Sequence, residues 1–365
     1  MVKGTAFAKY RNERSSEMAL SCYITRHSVS AVLYDMGLSR RYARAVSYGG
    51  ALTAADAAEP IALAIQRVMR GSGTPGNVVK RVGFAAPSDI TMAVEEQITP
   101  GDLFLHPDTE IAVLPMMNSA LGGDFTAALA SAVSDGRNVL CADVSGSLRL
   151  ASCRGDSVKY AHIPLAGGFD GSAIESGMPL EEGAVDTLGR EKDGTISYSV
   201  IGDGESSGIS VPAALSAVKL MLDCGALDPD GIMTDRDLFY IGEDLYISQA
   251  DVRAVQSDKA SCRAALELFG KAAGRAERVI ISGEAFGSEQ GAAMTAQLGA
   301  VPRGLADRYG WSRRPGEQGL ISCLTSPETL AALHEMCASA EDVTEQILGE
   351  FNDLYIKNLG FGANL

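Results

Sequence analysis

The sequence predicts an α/β protein of two similar lobes, in each of which helices pack on a sheet. Its 365 residues are too many for one ordinary hydrophobic core. Apolar residues make up 46% of the chain and there are 40 glycines, which suits many turns between strands and helices. Three strands followed by alternating helices and strands occur near residue 18, and the same order starts again near Asn138.

The first half contains five short apolar runs that predict strands, at 19–24, 29–34, 43–47, 78–84 and 111–114. Helices are predicted over residues 54–70, entered from Thr53, from near Ser88, and over 122–132. Residues 1–17 are polar and predict a flexible lead-in. The first lobe is therefore predicted to span residues 18–136.

The second lobe is predicted to span 137–365, with an inserted surface hairpin at about 181–206. Its strands are predicted at 139–144, 148–152, 158–163, 195–200, 239–241 and 279–281. Its helices are predicted at 171–176, 210–224 and 250–273, and another begins at Ser326-Pro327-Glu328.

Composition excludes several classes of partner. A net charge of -15 disfavours nucleic acid and anionic membranes, and an aromatic content of 6% argues against base-stacking surfaces. None of the seven cysteines has a spacing typical of zinc or iron–sulfur ligands. The cysteines lie mostly in apolar runs, which is typical of reduced thiols in a cytoplasmic protein. The four histidines have no spacing that suggests a metal site.

The stretch 247–287 reads as a long helix, a buried strand and a glycine turn. Ser248 is the predicted N-cap and Gly274 the predicted C-cap. Lys259 falls on the shoulder of the apolar face, beside Gln256 and Arg263. Two interpretations are open: these polar groups face a ligand, or Lys259 is a snorkelling lysine at the edge of a core.

An acid-led strand, turn and strand, ADVSGSLRLAS, is one known arrangement for binding phosphate. Asp143 would hold a hydrated metal ion, while the turn Ser145-Gly146-Ser147 would direct backbone N–H groups at phosphate oxygens. An ordinary hairpin turn is the alternative, because Ser and Gly are common in such turns.

Two further glycine clusters each precede a predicted helix. They are residues 166–172, with the letters AGGFDGS, and residues 206–208, with the letters SSG. At both places, helix N-terminal N–H groups would face an anion. Neither cluster is a dinucleotide-binding fingerprint, and clusters of this kind are often simple turns.

Together these segments resemble the C-terminal part of the ATP-dependent reductive activators of corrinoid proteins, in the actin/Hsp70/sugar-kinase superfamily. The resemblance covers about residues 18–362. Its most specific segments are ISQADVRAVQSDKASCRAALELFGKAAG, VIISGEAFG, QLGAVP, LTSPETLAALHEM and FNDLYIKNLGF. Segments in the family's order upstream are VGFAAPSDITMAVEEQITP, LPMMNSALGGDFTAALA, VLCADVSGSLRLAS, PLAGGFDGSAIESGMPLEEGAVD and SSGISVPAALSAVKLMLDCGALDPDG.

The resemblance implies a duplicated ribonuclease-H-like, actin/Hsp70-like fold with ATP and Mg²⁺ bound in a cleft between two lobes. ATP use in the family drives reduction of the corrinoid on a partner protein. The implied nucleotide-binding residues are Asp143, Ser145, Gly146, Ser147, Gly167, Gly168, Asp170, Gly171, Ser207, Gly208, Lys259, Arg263, Ser282, Gly283 and Gly287.

Several departures from the family pattern concern the phosphates. The first phosphate turn reads CYITRHSVS, with no Asp and no Gly, and the second has Ser145 and Arg149 where Gly and an acid are usual. Arg149 would instead pair with a phosphate or another anion. The turn SGEAFG brings Glu284 to the nucleotide side. ATP hydrolysis is therefore predicted to be weak or absent.

Two functional hypotheses follow, and a third interpretation stays open. The chain is an ATP-binding activator module, or it is an inactive relative that binds or regulates a corrinoid protein. The third is that only ancestry is shared and the cleft holds another small ligand. The sequence has neither cluster-binding cysteines nor a D-x-H-x-x-G corrinoid motif. A corrinoid-carrying methyl-transfer protein and a separate iron–sulfur redox protein are therefore the predicted partners, and a homodimer is left open.

Overall fold

The computed structural model describes residues 18–35, 40–47, 51–133, 138–155, 157–192, 194–202, 204–234, 236–242, 244–312 and 314–361. The lead-in predicted at 1–17 lies outside them. The described chain divides into two compact units. One unit contains the residues up to Ser131 together with Gly316–His334, and the other contains Ala132–Pro315 and the residues from Glu335 onward. The lobe boundaries given from the sequence stay predictions.

The strands are β1 (Met18–Ile24), β2 (Ser28–Asp35), β3 (Arg40–Ser47), β4 (Val79–Ala85), β5 (Glu110–Val113), β6 (Val139–Val144), β7 (Ser147–Arg154), β8 (Ser157–Pro164), β9 (Ala184–Arg190), β10 (Ile196–Val200), β11 (Gly208–Ile209), β12 (Leu238–Tyr240), β13 (Tyr246–Ser248), β14 (Arg278–Gly283) and β15 (Glu341–Asp342). The helices are α1 (Ala58–Ser72), α2 (Ser88–Gln97), α3 (Gly123–Val133), α4 (Val211–Cys224), α5 (Gln249–Ala273), α6 (Glu289–Gln297), α7 (Arg303–Ala306), α8 (Pro315–Thr325), α9 (Pro327–Ala338) and α10 (Thr344–Lys357).

The sheet of the first unit has the order β3-β2-β1-β4-β5. Strands β1 to β3 form an antiparallel meander, and β4 and β5 add in parallel beside β1. Side chains of β1, β2 and β4 are buried because helices cover the sheet, and Leu20, Leu33 and Phe84 are completely inaccessible to solvent.

The sheet of the second unit repeats this arrangement. Its order is β14-β6-β7-β8-β15, in which β6 to β8 form an antiparallel meander and β14 pairs in parallel with β6. The predicted repetition of elements is thus confirmed as a repetition of topology. The fifth strand differs, because β15 joins the opposite edge of the sheet, parallel to β8.

Helix α5 is the longest described helix and belongs to the core of the second unit. Its start is a capping box, in which the Ser248 hydroxyl accepts from Asp251 N and the Asp251 carboxylate accepts from Ser248 N. Its end is Gly274, with a positive φ of 86°. Val252, Val255 and Phe269 are buried on its apolar face, as the spacing predicts.

One helix prediction is wrong, and the start of another is shifted. Residues 171–176 form consecutive turns because glycines with positive φ, Gly167 and Gly171, interrupt any helical path. The helix predicted to enter from Thr53 starts instead at Ala58, since the Thr53 hydroxyl bonds the Asp56 carboxylate within a turn. Within residues 181–206, β9 and β10 pair in antiparallel fashion.

No helix in the described residues combines the length and hydropathy that a membrane span requires.

Candidate phosphate-turn site

Next to the turn between β6 and β7, the end of β6 carries a buried carboxylate that accepts four hydrogen bonds. Asp143 is 6% exposed. Its Oδ2 accepts from Arg149 Nη2 at 2.7 Å and Nε at 3.2 Å. Its Oδ1 accepts from Ser282 Oγ at 2.6 Å and from Ser145 Oγ at 3.4 Å. The carboxylate is thereby neutralised and fully hydrogen-bonded by the chain itself.

This network is built by strand register. Ser282, Asp143, Arg149 and His162 stand directly opposite one another on β14, β6, β7 and β8. Residues in register share one face of the sheet, so the four form a polar row. Burial, and then the Arg149 charge, lower the pKa of His162, while Asp342 acts in the opposite direction.

Asp143 as arranged does not fit a magnesium ion. An ionised carboxylate offers about four acceptor positions, and Arg149, Ser282 and Ser145 occupy that many. A metal ligand would have to displace the guanidinium, and Mg²⁺ demands a nearly ideal octahedral shell. The described residues also contain no group of three or more His, Cys, Asp or Glu side chains placed to hold a metal.

The loop 166–171 is held by a residue of α5 that the sequence analysis missed. Asp258 is completely buried, and its carboxylate accepts from Ala166 N at 2.5 Å and from Phe169 N at 2.9 Å. Burial raises the pKa of Asp258, and the backbone donors of the loop oppose that shift. Gly168 fits only because it has no side chain, since a Cβ would lie 2.5 Å from Val255 N. The sequence did contain one indication of this role. Asp258 follows the capping residue Asp251 by two helical turns, so both acidic side chains lie on the same face of α5.

Three predicted segments are brought together around the turn. A Cβ on Gly146, whose φ is 72°, would lie 3.5 Å from Asp170 Oδ2, so the loop 166–171 lies beside the β6–β7 turn. Ala285 N donates to Phe169 O at 3.2 Å, and Ser282 binds Asp143, so the segment after β14 joins them. Ser145 and Gly146 are exposed at this junction.

The turn after β14 depends on a glycine at its first position. Gly283 has φ 117°, and a Cβ there would lie 2.4 Å from Val144 O. A short 3-10 helix, Glu284–Phe286, follows and ends at Gly287. Ser288 then caps α6 by accepting from Gly291 N at 3.0 Å. Glu284 therefore lies in the first turn of the short helix.

Ser207 and Gly208 lie in a small sheet, and the predicted contact of these two residues with a nucleotide stays a prediction. Ser207 N donates to Gly183 O, and Gly208 pairs with Ala184 where β11 meets β9. The helix that follows, α4, is capped by its own Ser210, whose side chain accepts from Ala213 N. These residues belong to the small β10-β9-β11 sheet, and no contact to the phosphate turn is found within the described residues.

Lys259 is anchored by carbonyl groups of the C-terminal segment. Its side chain is completely buried, and Nζ donates to Asn358 O and, at 2.8 Å, to Gly360 O. The Phe361 ring centroid lies 5.3 Å from Nζ. Burial, and then the Arg263 charge, lower the pKa of Lys259 to about 8. The snorkelling interpretation is wrong because the ammonium group does not reach water.

Arg263 also bonds within its own unit. Its Nη1 donates to Val301 O at 3.1 Å, while its Nε is buried without a hydrogen bond. The contacts of Lys259 and Arg263 are thus to the C-terminal segment and to residue 301, and the structure does not bring either side chain to the phosphate turn. A nucleoside contact by either side chain stays a prediction.

The corresponding turn of the first unit, Thr25–Ser28, closes on itself. Thr25 Oγ1 accepts from His27 N at 3.2 Å and from Ser28 N at 3.0 Å. Arg26 leaves the turn to pair with Asp89 at 2.7 Å. Tyr23 occupies the strand position that corresponds to Asp143, because each lies one residue before the end of its strand and pairs across the hairpin. Two donors that a phosphate turn would use are therefore bound by a hydroxyl.

Two units with this shared strand order place the chain in the ASKHA class, the fold of actin, Hsp70 and the sugar kinases. A family model described as the C-terminal domain of RACo, the ASKHA domain, matches residues 166–364. The chain belongs to this family.

Two relatives extend the comparison. The chain is 25% identical over 297 residues to the corrinoid activation enzyme RamQ of Eubacterium limosum, covering 72% of this chain and 49% of that enzyme. It therefore spans about half the length of the curated relative that it matches. The solved structure of a reductive activator for a corrinoid, iron–sulfur protein superposes with a TM-score of 0.76 at 15% identity, over 96% of this chain and 67% of the other.

Proposed function

We propose that this chain binds a corrinoid-carrying methyl-transfer protein and takes part in its activation or regulation, with weak or absent ATP hydrolysis. Membership of the RACo C-terminal family supports the link to corrinoid activation, as does the similarity to RamQ. The electrons for corrinoid reduction would come from a separate iron–sulfur redox protein. The setting proposed is the cytoplasm, where the buried free cysteines stay reduced.

The Arg149–Asp143 ion pair is the observation that supports weak or absent ATP hydrolysis. Hydrolysis in a phosphate turn needs a water or metal anchored where charge develops. Asp143 is the acidic side chain of the strand that leads into the turn, and its acceptor positions are taken by Arg149 and two hydroxyls. The first turn offers no replacement, because Thr25 binds its backbone donors.

Nucleotide binding without turnover is the second candidate, and the convergence of three segments favours it. The turn Ser145-Gly146-Ser147, Asp170 of the adjoining loop and the turn around Gly283 meet at one place. In this version, ATP contacts the turn through backbone N–H groups, and any Mg²⁺ is carried by the phosphates and not by Asp143. Gly167, Gly168 and Gly171 shape the loop.

Calorimetry with purified chain separates the two candidates. ATP is titrated with Mg²⁺ and again with EDTA, and Asp143→Ala is compared with the exposed variant Asp223→Ala. Micromolar binding that persists with EDTA and in Asp223→Ala supports the nucleotide module. Asp143→Ala is expected to weaken that binding indirectly, because Asp143 is bonded to Arg149 and Ser282 beside the turn. If no heat of binding is measured at millimolar ATP, the chain is not a nucleotide-binding module and only the partner-binding function remains.

The partner-binding function is tested by its own experiment. The immobilised chain is incubated with purified corrinoid proteins of the same organism, and binding is measured by surface plasmon resonance. Saturable binding to at least one of them is expected. If none of them binds, with or without nucleotide, both versions of the proposal are wrong. Size-exclusion chromatography with light scattering in the same series shows whether the chain forms the homodimer that the sequence leaves open.

A further inference from the structure

A basic pocket lies at the end of the second sheet that is remote from the phosphate turn. Its volume is about 300 Å³, and it is open to solvent. Its lining comes from the β7–β8 hairpin and the last turn of α5: Ser152, Arg154, Ser157, Lys159, Lys271, Ala272, Ala273 and Gly274. Arg149 and Arg154 are five residues apart on β7, which separates the two places by about 17 Å.

The pocket is positive although the whole chain has a net charge of -15. Arg154, Lys159 and Lys271 line it, and no carboxylate is among the described residues that do. Asp156, the acidic residue nearest to Arg154 in the sequence, lies outside the described residues. The volume is at the lower end of the range for small-molecule sites, so only a small ligand fits.

The cations are only weakly neutralised by neighbouring acids. Lys159 lies 3.5 Å from Glu341, and Lys271 lies 3.6 Å from Glu267. Glu341 is well exposed to solvent and Glu267 is partly exposed, and ion pairs near the surface contribute little. The Arg154 guanidinium has no ion pair or hydrogen bond within the described part of the chain. Its charge is therefore available to a ligand.

Backbone geometry brings Arg154 close to the helix end. Gly274 has φ 86°, and a Cβ there would lie 3.1 Å from Arg154 Nη1. A side chain at 274 would therefore push the guanidinium away. Lys159 is fixed from the other side, because its Nζ donates to Ala272 O at 3.3 Å. That bond uses one of three N–H donors and the ammonium group also faces Glu341, which leaves at least one donor for a ligand.

We propose that this pocket binds a phosphate group, either as free phosphate or as the monoester of a small molecule. A guanidinium and two ammonium groups match the charge of a phosphate dianion, and the Ser152 and Ser157 hydroxyls offer neutral donors. This inference does not depend on the proposed function, because it concerns a different end of the sheet.

Titration calorimetry of the full chain in metal-free chloride buffer tests the pocket. Inorganic phosphate and glycerol phosphate are the probes and sodium acetate is the control anion. Saturable phosphate binding is expected, weakened about tenfold or more by Arg154→Gln and by Lys271→Gln. Tighter binding of glycerol phosphate than of phosphate identifies a monoester as the ligand. Lys219→Gln is the matched control, since Lys219 also pairs with an acid four residues away but lies outside the pocket.

Two results overturn the proposal. If Asp143→Asn changes phosphate binding while Arg154→Gln does not, the phosphate binds at the turn. If no saturable binding occurs and Lys159→Gln only lowers the melting temperature, the cations merely stabilise the C-terminal end of α5. Neither result affects the binding of a corrinoid protein, so failure of the pocket and failure of the proposed function are distinguishable.

Discussion

Arg149 and Asp143 are cross-strand partners whose side chains meet at 2.7 Å in an almost solvent-free environment. Each compensates the charge of the other, so the removal of one leaves a buried charge alone. Arg149→Met is expected to lower the free energy of unfolding by about 3 kcal/mol or more. Asp143→Asn combined with Arg149→Met is expected to recover most of that loss.

Urea unfolding of the two single variants and the double variant measures this coupling as a double-mutant cycle. Arg26→Met is the control, because the Arg26–Asp89 pair is substantially exposed and should contribute less than about 1 kcal/mol. Additive effects of Asp143→Asn and Arg149→Met would contradict a coupled pair.

Asp258 is expected to be essential for the order of the loop 166–171. Asp258→Asn replaces an acceptor oxygen with an NH₂ group that faces backbone donors, at a cost of about 2 kcal/mol. Hydrogen exchange of the Ala166 and Phe169 amides should accelerate in the variant, because those N–H groups lose their acceptor. Asp223→Asn, at an exposed position, should change neither amide. Unchanged exchange in Asp258→Asn would mean that other contacts hold the loop.

Lys259 makes stability depend on pH in a defined direction. Its pKa is lowered to about 8 in the folded state, from an ordinary value of 10.5. Between those values the unfolded chain binds more protons, so stability rises with pH. The rise should total up to about 3 kcal/mol, at roughly 1.36 kcal/mol for each unit of pKa.

The measurement is the difference in unfolding free energy between the natural chain and Lys259→Met, from pH 7 to pH 10. Taking the difference removes the contributions of other titrating groups. A difference that stays constant over the range would show that Lys259 keeps its ordinary pKa.

Gly283 is expected to tolerate no side chain. Gly283→Ala combines a φ of 117° with a Cβ 2.4 Å from Val144 O, so a loss of more than about 2 kcal/mol is expected. Gly270→Ala is the matched control inside α5, where a Cβ would meet nothing within 4 Å. That variant should stabilise the chain by about 0.5–1 kcal/mol, because Gly is unfavourable in a helix. Thermal unfolding of both variants decides, and equal melting temperatures would refute the steric argument.

Local sequence patterns predicted the parts of the fold that local forces determine. Residues 139–144 were predicted as a strand and form β6 with the same bounds, because a continuous apolar run suits a strand that is buried on both faces. The capping box of α5 was likewise readable, since Ser248 and Asp251 are three residues apart. The wrong helix at 171–176 has a distant cause in addition to the positive φ of its glycines. Asp258 bonds the preceding loop from about ninety residues further along the chain, which no local pattern reveals.

The candidate site was predictable only in part, for the same reason. Asp143, Gly146 and Ser282, which the resemblance assigns to one nucleotide site, lie close together on the same part of the second sheet, while their contact with a nucleotide stays a prediction. The partner of Lys259 was not predictable, since Asn358 and Gly360 approach it from the end of the chain. Helical spacing gave the direction of Lys259 from the helix axis, but the character of its surroundings depends on the packed fold.

Asp258 and Lys259 are consecutive on α5 yet have opposite requirements, because one meets backbone N–H groups and the other meets backbone carbonyls. One residue corresponds to a rotation of about 100° around a helix axis. A one-residue deletion earlier in α5 would place the ammonium group against N–H donors, and a one-residue insertion would place the carboxylate against carbonyl oxygens. In both cases a buried charge would face backbone groups whose partial charge has the same sign. The helix therefore tolerates substitutions along its length far more readily than a change in the number of its residues.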